Sequence, residues 1–228
     1  MYHSWNLRRL LRYLALDTAL VLAAVLLTHL GKHHFSAADS AGGVSLPVLM
    51  YHSVAPVPEQ QYCVTPETLE SDLRYLQAHG YETVSPEELV AYTNGNGTLP
   101  EKPVMLTFDD GLYNNLSLVL PLLESYDMCA VVSVVGIFTD EYAPDAPHND
   151  VYSYLTWEDL KQMHDSGRIT LGSHTYDMHE NGTRQGCAKT DWETEEEYHE
   201  TLYADLSLMQ TRFQEELQIQ PAVFAYPY

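Results

Sequence analysis

From Pro47 onward the chain alternates between short unbroken apolar runs and stretches where apolar residues return every third or fourth position. Pro47-Val48-Leu49-Met50-Tyr51 reads as a buried strand, and Val104 to Phe108, Ala130 to Val135, Ile169 to Gly172 and Ala222 to Tyr226 read as further strands. Helical stripes lie between them. Leu69, Leu73 and Leu76 follow Thr65-Pro66, an N-cap with proline at the first helical position, and Gly80 ends the run. Ser85-Pro86-Glu87-Glu88 opens a shorter helix with a capping box, and Asn94-Gly95-Asn96-Gly97 is a turn cluster. A helical segment around Leu116 to Tyr126 contains Pro121, and Thr156-Trp157-Glu158-Asp159 caps a helix that stops at Gly167. Tyr198, Leu202, Leu206, Met209, Phe213 and Leu217 form the stripe of a long amphipathic helix, which is core packing and not a cofactor surface. Strand and helix in alternation predict an α/β fold, a parallel sheet or barrel with right-handed crossovers.

The N-terminus carries a different pattern. Arg8, Arg9 and Arg12 precede a run from Leu14 to Leu30 that is apolar except for Asp17, Thr18, Thr28 and His29. It has no polar face from Ala19 to Leu27, so an ordinary core helix is a poor reading and an export segment a better one. The expectation is an uncleaved, single-pass hydrophobic helix in the cell membrane, with the Arg cluster inside and the rest of the chain extracytoplasmic. The alternative is a signal peptide cleaved near Ser36-Ala37-Ala38, giving a secreted protein. Phe35 to Ser45 is rich in Ala, Ser and Gly and reads as a linker. The predicted organisation is therefore tail and anchor or signal over 1–34, linker over 35–45, and one catalytic domain over 46–228.

Charge narrows the partners. The 228 residues carry a formal net charge of −21, which excludes a nucleic-acid partner, since phosphate-backbone binding needs clustered Lys and Arg. Glu193, Glu195, Glu196 and Glu197 supply part of that charge and read as a solvated surface. Cys63, Cys129 and Cys187 match no zinc spacing. Cys129 sits in an apolar run as a small core residue, whereas Cys63 and Cys187 lie in polar loops, either paired or free.

The candidate chemistry lies directly after two of the strands. Thr107-Phe108-Asp109-Asp110-Gly111 and Ser173-His174-Thr175-Tyr176-Asp177-Met178-His179 offer adjacent carboxylates and two imidazoles on the rim where strand-end loops converge. Neighbouring side chains diverge, so one aspartate can hold a cation while the other reaches a water beside it. The competing reading is an Asx-type turn ahead of Gly111. Asp110, His174 and His179 would make a two-His, one-carboxylate set with open positions, which serves a metal-assisted hydrolase or equally a non-haem iron oxygenase.

With these motifs the chain resembles the polysaccharide deacetylases, carbohydrate esterase family four, with its NodB homology domain. The resemblance spans Leu46 to Tyr228 and rests on Leu106-Thr107-Phe108-Asp109-Asp110-Gly111, on Gly172-Ser173-His174-Thr175 with His179, and on Phe224-Ala225-Tyr226-Pro227-Tyr228. Pro47-Val48-Leu49-Met50-Tyr51-His52-Ser53 also looks like the family's opening strand. It implies a distorted (β/α) barrel and a divalent ion, zinc first with cobalt or nickel as alternatives, on Asp110, His174 and His179. It further implies Asp109 as general base, the backbone N–H of Tyr228 as oxyanion donor, and His52 and Pro227 at the substrate. The implied substrate is an N-acetylated glycan of the cell wall or outside the cell, such as peptidoglycan or poly-N-acetylglucosamine. Three departures stand out. His174 and His179 are one residue further apart than is common, with Met178 in the usual position; Val223, Phe224 and Ala225 stand where an arginine is expected; and the family's later motifs, including a general-acid histidine, are not found before Tyr228. The sequence therefore reads as a C-terminally incomplete copy with an open barrel. The alternative function is a catalytically degenerate or truncated metal- and glycan-binding surface protein.

Overall fold

The computed structural model describes residues 43–58, 60–142 and 146–228, so the expected anchor and most of the linker lie outside the described residues. Among the described residues no helix is long and apolar enough to cross a membrane. The elements in chain order are β1 (Val48–Tyr51), β2 (Ser53–Val54), β3 (Cys63–Val64), α1 (Pro66–Ala78), β4 (Glu82–Thr83), α2 (Pro86–Thr93), β5 (Pro103–Phe108), a π-helical turn (Asn115–Val119), α3 (Leu120–Tyr126), β6 (Ala130–Val134), α4 (Gly136–Glu141), α5 (Trp157–Asp165), β7 (Ile169–Ser173) and α6 (Glu195–Leu217).

The predicted helix starts hold because each is fixed by a local bond. Thr65 Oγ1 accepts the Thr68 N–H at 3.2 Å. Ser85 with Glu88 and Thr156 with Asp159 form reciprocal capping boxes, and a third box that was not read from the sequence, Thr194 with Glu197, opens α6. Pro121 has the effect that its chemistry requires. Lacking an N–H, it follows a widened turn in which Leu120 N–H donates to Asn115 O, five residues back, before α3 continues.

The strands form a parallel sheet in the order β1-β5-β6-β7, with β4 paired to the start of β5; β2 and β3 make a separate parallel pair. The register sets Tyr51 beside Phe108, Phe108 beside Val132, and Val134 beside Ser173. Helices supply the other wall of the core, where Leu69 and Leu73 of α1, Leu123 of α3, Leu160 and Met163 of α5, and Met209 and Phe213 of α6 pack against Leu106, Phe108 and Val132.

Two expectations are corrected. β1 is not buried: it is the margin of the sheet, and Val48 and Met50 are 55% and 62% exposed. Ala222 to Tyr226 is not a full strand either. It contributes one parallel bridge, Phe224 to Ser173, held by Ser173 N–H to Val223 O and Ala225 N–H to Ser173 O, both 2.9 Å. Among the described residues the sheet is thus open between β1 and this segment, and the closed barrel is not seen.

Candidate metal centre

The strand ends bring the predicted residues together. Asp109 continues β5, its N–H donating to Tyr51 O at 3.0 Å, and the chain then turns through Asp110 and Gly111 at φ of 74° and 73°. Gly111 is required there, because a Cβ would lie 2.8 Å from Val134 Cγ1 in a left-handed backbone conformation. His174 leaves β7 with its N–H on Val134 O and its Nδ1 2.9 Å from Ala225 O. That second contact fixes the ring and turns Nε2 toward Asp110, 3.7 Å away.

His179 reaches the same point through the expected loop after β7, whose supports the sequence did not reveal. Asp205 on α6 accepts the N–H groups of Tyr176 at 2.8 Å and Asp177 at 2.7 Å, while Gly136 and Ile137 at the start of α4 donate to Thr175 O and Tyr176 O. Met178 then points into the core at 6% exposure, and His179 Nε2 lies 3.1 Å from Asp110 Oδ1. Asp205 is a polar residue between the apolar positions of a long helix, and α4 is a six-residue turn without a side-chain cap, so neither carries a strong sequence signal.

The donor set fits a cation. One ligand atom from each of Asp110, His174 and His179 lies within 4.8 Å of the others. Oδ1 of Asp110 is buried, close to both imidazoles, and still lacks a partner of hydrogen-bond geometry. Oδ1 of Asp109 is likewise buried without a partner. An Asx turn would have spent these oxygens on nearby N–H groups, so that reading fails. Burial pushes the Asp110 carboxyl up, but the imidazoles of His179, His52 and His174 outweigh it and hold the group below its ordinary range. Burial raises Asp109, which the same imidazoles offset only in part, and burial lowers His174.

The remaining candidates surround this group. His52 directly follows β1; its carbonyl accepts from Asn115 Nδ2 at 3.1 Å and its ring packs 5.0 Å from that of Tyr62. The Tyr228 ring lies 5.2 Å from His179, and the Phe138 ring 5.9 Å from it on an edge, with Tyr154 4.6 Å beyond. Pro227 is buried under Gly186, where a Cβ would approach the Pro227 carbonyl oxygen to 2.3 Å. Asn114, Asn115, Phe138 and Tyr154 are neighbours that sequence reasoning missed. The three cysteines are unpaired, and Cys187, in a loop as expected, is fully buried.

Known proteins match this frame. The sequence profile described as polysaccharide deacetylase matches residues 96–228. The chain is 28% identical over 184 residues to a poly-β-1,6-N-acetyl-D-glucosamine N-deacetylase of Escherichia coli K12, covering 72% of this chain and 27% of that protein. It is 24% identical over 172 residues to the protein of that name in Staphylococcus aureus, covering 74% and 54%. The chain thus spans only part of the length of these curated relatives. Among solved structures, a de-N-acetylase from Aggregatibacter actinomycetemcomitans superposes with a TM-score of 0.70 at 27% identity, over 80% of this chain and 79% of that one. IcaB from Ammonifex degensii superposes at 0.67 with 28% identity, over 82% and 75%.

Proposed function

This chain belongs to the polysaccharide deacetylase family, and from that premise we propose that it is a metal-dependent hydrolase that removes N-acetyl groups from an N-acetylglucosamine-type polysaccharide. The observation that carries the reading is the convergence of Asp110, His174 and His179 beside a buried, unpartnered Asp109 carboxylate. The names of the Escherichia coli and Staphylococcus aureus relatives bring poly-β-1,6-N-acetylglucosamine to this chain as the first substrate to try. Zinc is the ion expected on two imidazoles and a carboxylate, with cobalt or nickel as substitutes. The (β/α)-barrel form of the fold belongs to the same proposal, supported by the continuous parallel order from β1 to the Phe224 bridge. An extracytoplasmic location belongs to it too, supported by Arg8, Arg9 and Arg12 ahead of the apolar run.

When bound, such an ion polarises an acetamide carbonyl and makes water a stronger acid. The protein's own groups complete the reaction. Asp109 accepts the proton of the water that attacks the carbonyl carbon, and the Tyr228 N–H donates to the oxygen on which charge develops. The carbon–nitrogen bond then breaks, and the departing amine needs a proton. Asp109, holding the proton it took from water, can return it to that amine, and His52 keeps its expected place at the substrate. A protein that only binds metal and glycan would have no use for a buried Asp109 oxygen left without a partner.

The test separates base from ligand. Asp110→Ala, His174→Ala and His179→Ala should each lose bound zinc, whereas Asp109→Asn should keep it and release acetate from an N-acetylglucosamine oligomer about 100-fold more slowly. Zinc loss in Asp109→Asn, or unchanged turnover, would overturn the assignment.

A further inference from the structure

We propose that Asn115, backed by Asn114, is a positioning residue of the deacetylation site, which seats His52 beside Asp109 so that the imidazole meets the substrate at a fixed place; this deepens the reading above and rests on it. His52 stands at a break in the strand pairing. β1 ends at Tyr51 and β2 begins at Ser53, so the residue between them belongs to neither ladder. A carbonyl drawn out of water at such a break needs a donor from elsewhere. His52 O finds it in Asn115 Nδ2 at 3.1 Å.

The bonds converge on the imidazole from both sides. Tyr51 O, in the peptide before His52, accepts from the Asp109 N–H at 3.0 Å, and His52 O, in the peptide after it, accepts from Asn115. The stretch from Asp109 to Asn115 thus grips both peptides flanking His52, and it is the stretch that carries the proposed base and the Asp110 carboxylate. Asn114 widens the grip. Its Oδ1 accepts the Val54 N–H at 3.2 Å, and its Nδ2 donates to Ser53 Oγ at 3.0 Å and to Asp150 O at 2.8 Å. Asn115 Nδ2 also donates to Asn114 Oδ1 at 3.1 Å, so both of its hydrogens meet acceptors, which fixes which way round the amide sits. Core filling does not account for the pair. Asn114 and Asn115 are 1% and 0% exposed, and burying two amides costs free energy that two apolar side chains would not. Asn115 opens the π-helical turn, a geometry that recurs at functional sites, and its Oδ1 is left without a partner. What the amide achieves against that cost is the hold on His52 O.

The experiment is a double-mutant cycle on the zinc-loaded full chain. Asn115→Leu keeps the volume and removes the amide, and Asn115→Ala is the second variant should the branched side chain not fit. Each is made in the parent and in His52→Ala, and acetate release from a β-1,6-linked N-acetylglucosamine tetramer, bound zinc and carbethoxylation of His52 by diethyl pyrocarbonate are measured. In the parent background both should lower kcat/KM about tenfold with zinc content unchanged, because rate falls steeply when a positioned group is displaced. In His52→Ala they should change it by less than about twofold. A purely structural bond would still be lost there, since the backbone carbonyl that Asn115 holds survives the substitution and only the imidazole is missing. His52 should also be carbethoxylated about threefold faster or more in both variants as its segment loosens. Equal losses in the two backgrounds would make Asn115 a structural residue and overturn the proposal. So would a His52→Ala protein as active as the parent, or unchanged labelling of His52 in both variants. A parent that releases no acetate defeats the deacetylase reading instead, and the labelling of His52 then decides the role of Asn115 on its own.

Discussion

Gly186→Ala tests how the last residues of the chain are seated against the metal centre. Gly186 has a φ of +51°, and a Cβ there would lie 2.3 Å from the Pro227 carbonyl oxygen and 3.0 Å from its carbon. A relaxed carbon–oxygen contact needs about 3.3 Å, so the two strands of chain must part by about 1 Å. The left-handed backbone adds about 1–2 kcal/mol for an alanine, and the overpacking about 1–3 kcal/mol. Together these predict a melting temperature lower by roughly 4–20 °C for a chain of this size. The functional effect is larger, because the displaced segment carries both Ala225 O, which orients His174, and the Tyr228 N–H. A displacement of about 1 Å at such a donor costs on the order of 100-fold in turnover. Gly182→Ala is the control in the same loop, since nothing lies within 4 Å of its Cβ position; it should match the parent. Differential scanning fluorimetry and acetate release would be measured side by side. A Gly186→Ala protein that melts and turns over like Gly182→Ala would refute the seating of Pro227 and Tyr228.

Further outcomes follow from the thiols and the N-terminus. Burial pushes the Cys187 thiol up to about 11, and its side chain is wholly covered, so iodoacetamide at about pH 8 should alkylate the half-exposed Cys63 and spare Cys187 until the protein unfolds; rapid native labelling of Cys187 would contradict its burial. Protease added to intact cells should digest the domain from Leu46 onward while the membrane fraction keeps the segment bearing Arg8, Arg9 and Arg12. A protected domain would place it inside, and a fragment ending after Ala38 would show a released protein.

Much of the fold was legible because its determinants are local. A capping box is closed within four residues, so Ser85 and Thr156 announced their helices without any tertiary help. The site was legible for a related reason: polar residues that interrupt apolar runs at strand ends have nowhere to go but the rim. What failed was whatever depends on neighbours. Val48 and Met50 are as apolar as any core strand, and only the sheet order reveals β1 as a margin. Ala222 to Tyr226 has the composition of a strand but finds a single ladder position beside Ser173. Asp205 looks like one more acid on an acidic helix, and its partial burial and its two N–H partners exist only once α6 is docked.

That docking explains the spacing between the two imidazoles. The extra residue between His174 and His179 would turn the second ring away from the metal centre if the loop continued in a regular conformation. Thr175 instead takes a φ of 76°, a conformation that costs an ordinary residue about 1–2 kcal/mol and so needs support from outside the loop. Asp205 supplies it by accepting the next two N–H groups, and the start of α4 supplies it from the other side through Thr175 O and Tyr176 O. Met178 is then the residue that absorbs the insertion. Its side chain fills the core at 6% exposure, and the chain emerges one position later with His179 3.1 Å from Asp110. The longer interval is therefore compatible with the same ligand set, provided that an acid on a distant helix and an apolar residue in the loop are present together.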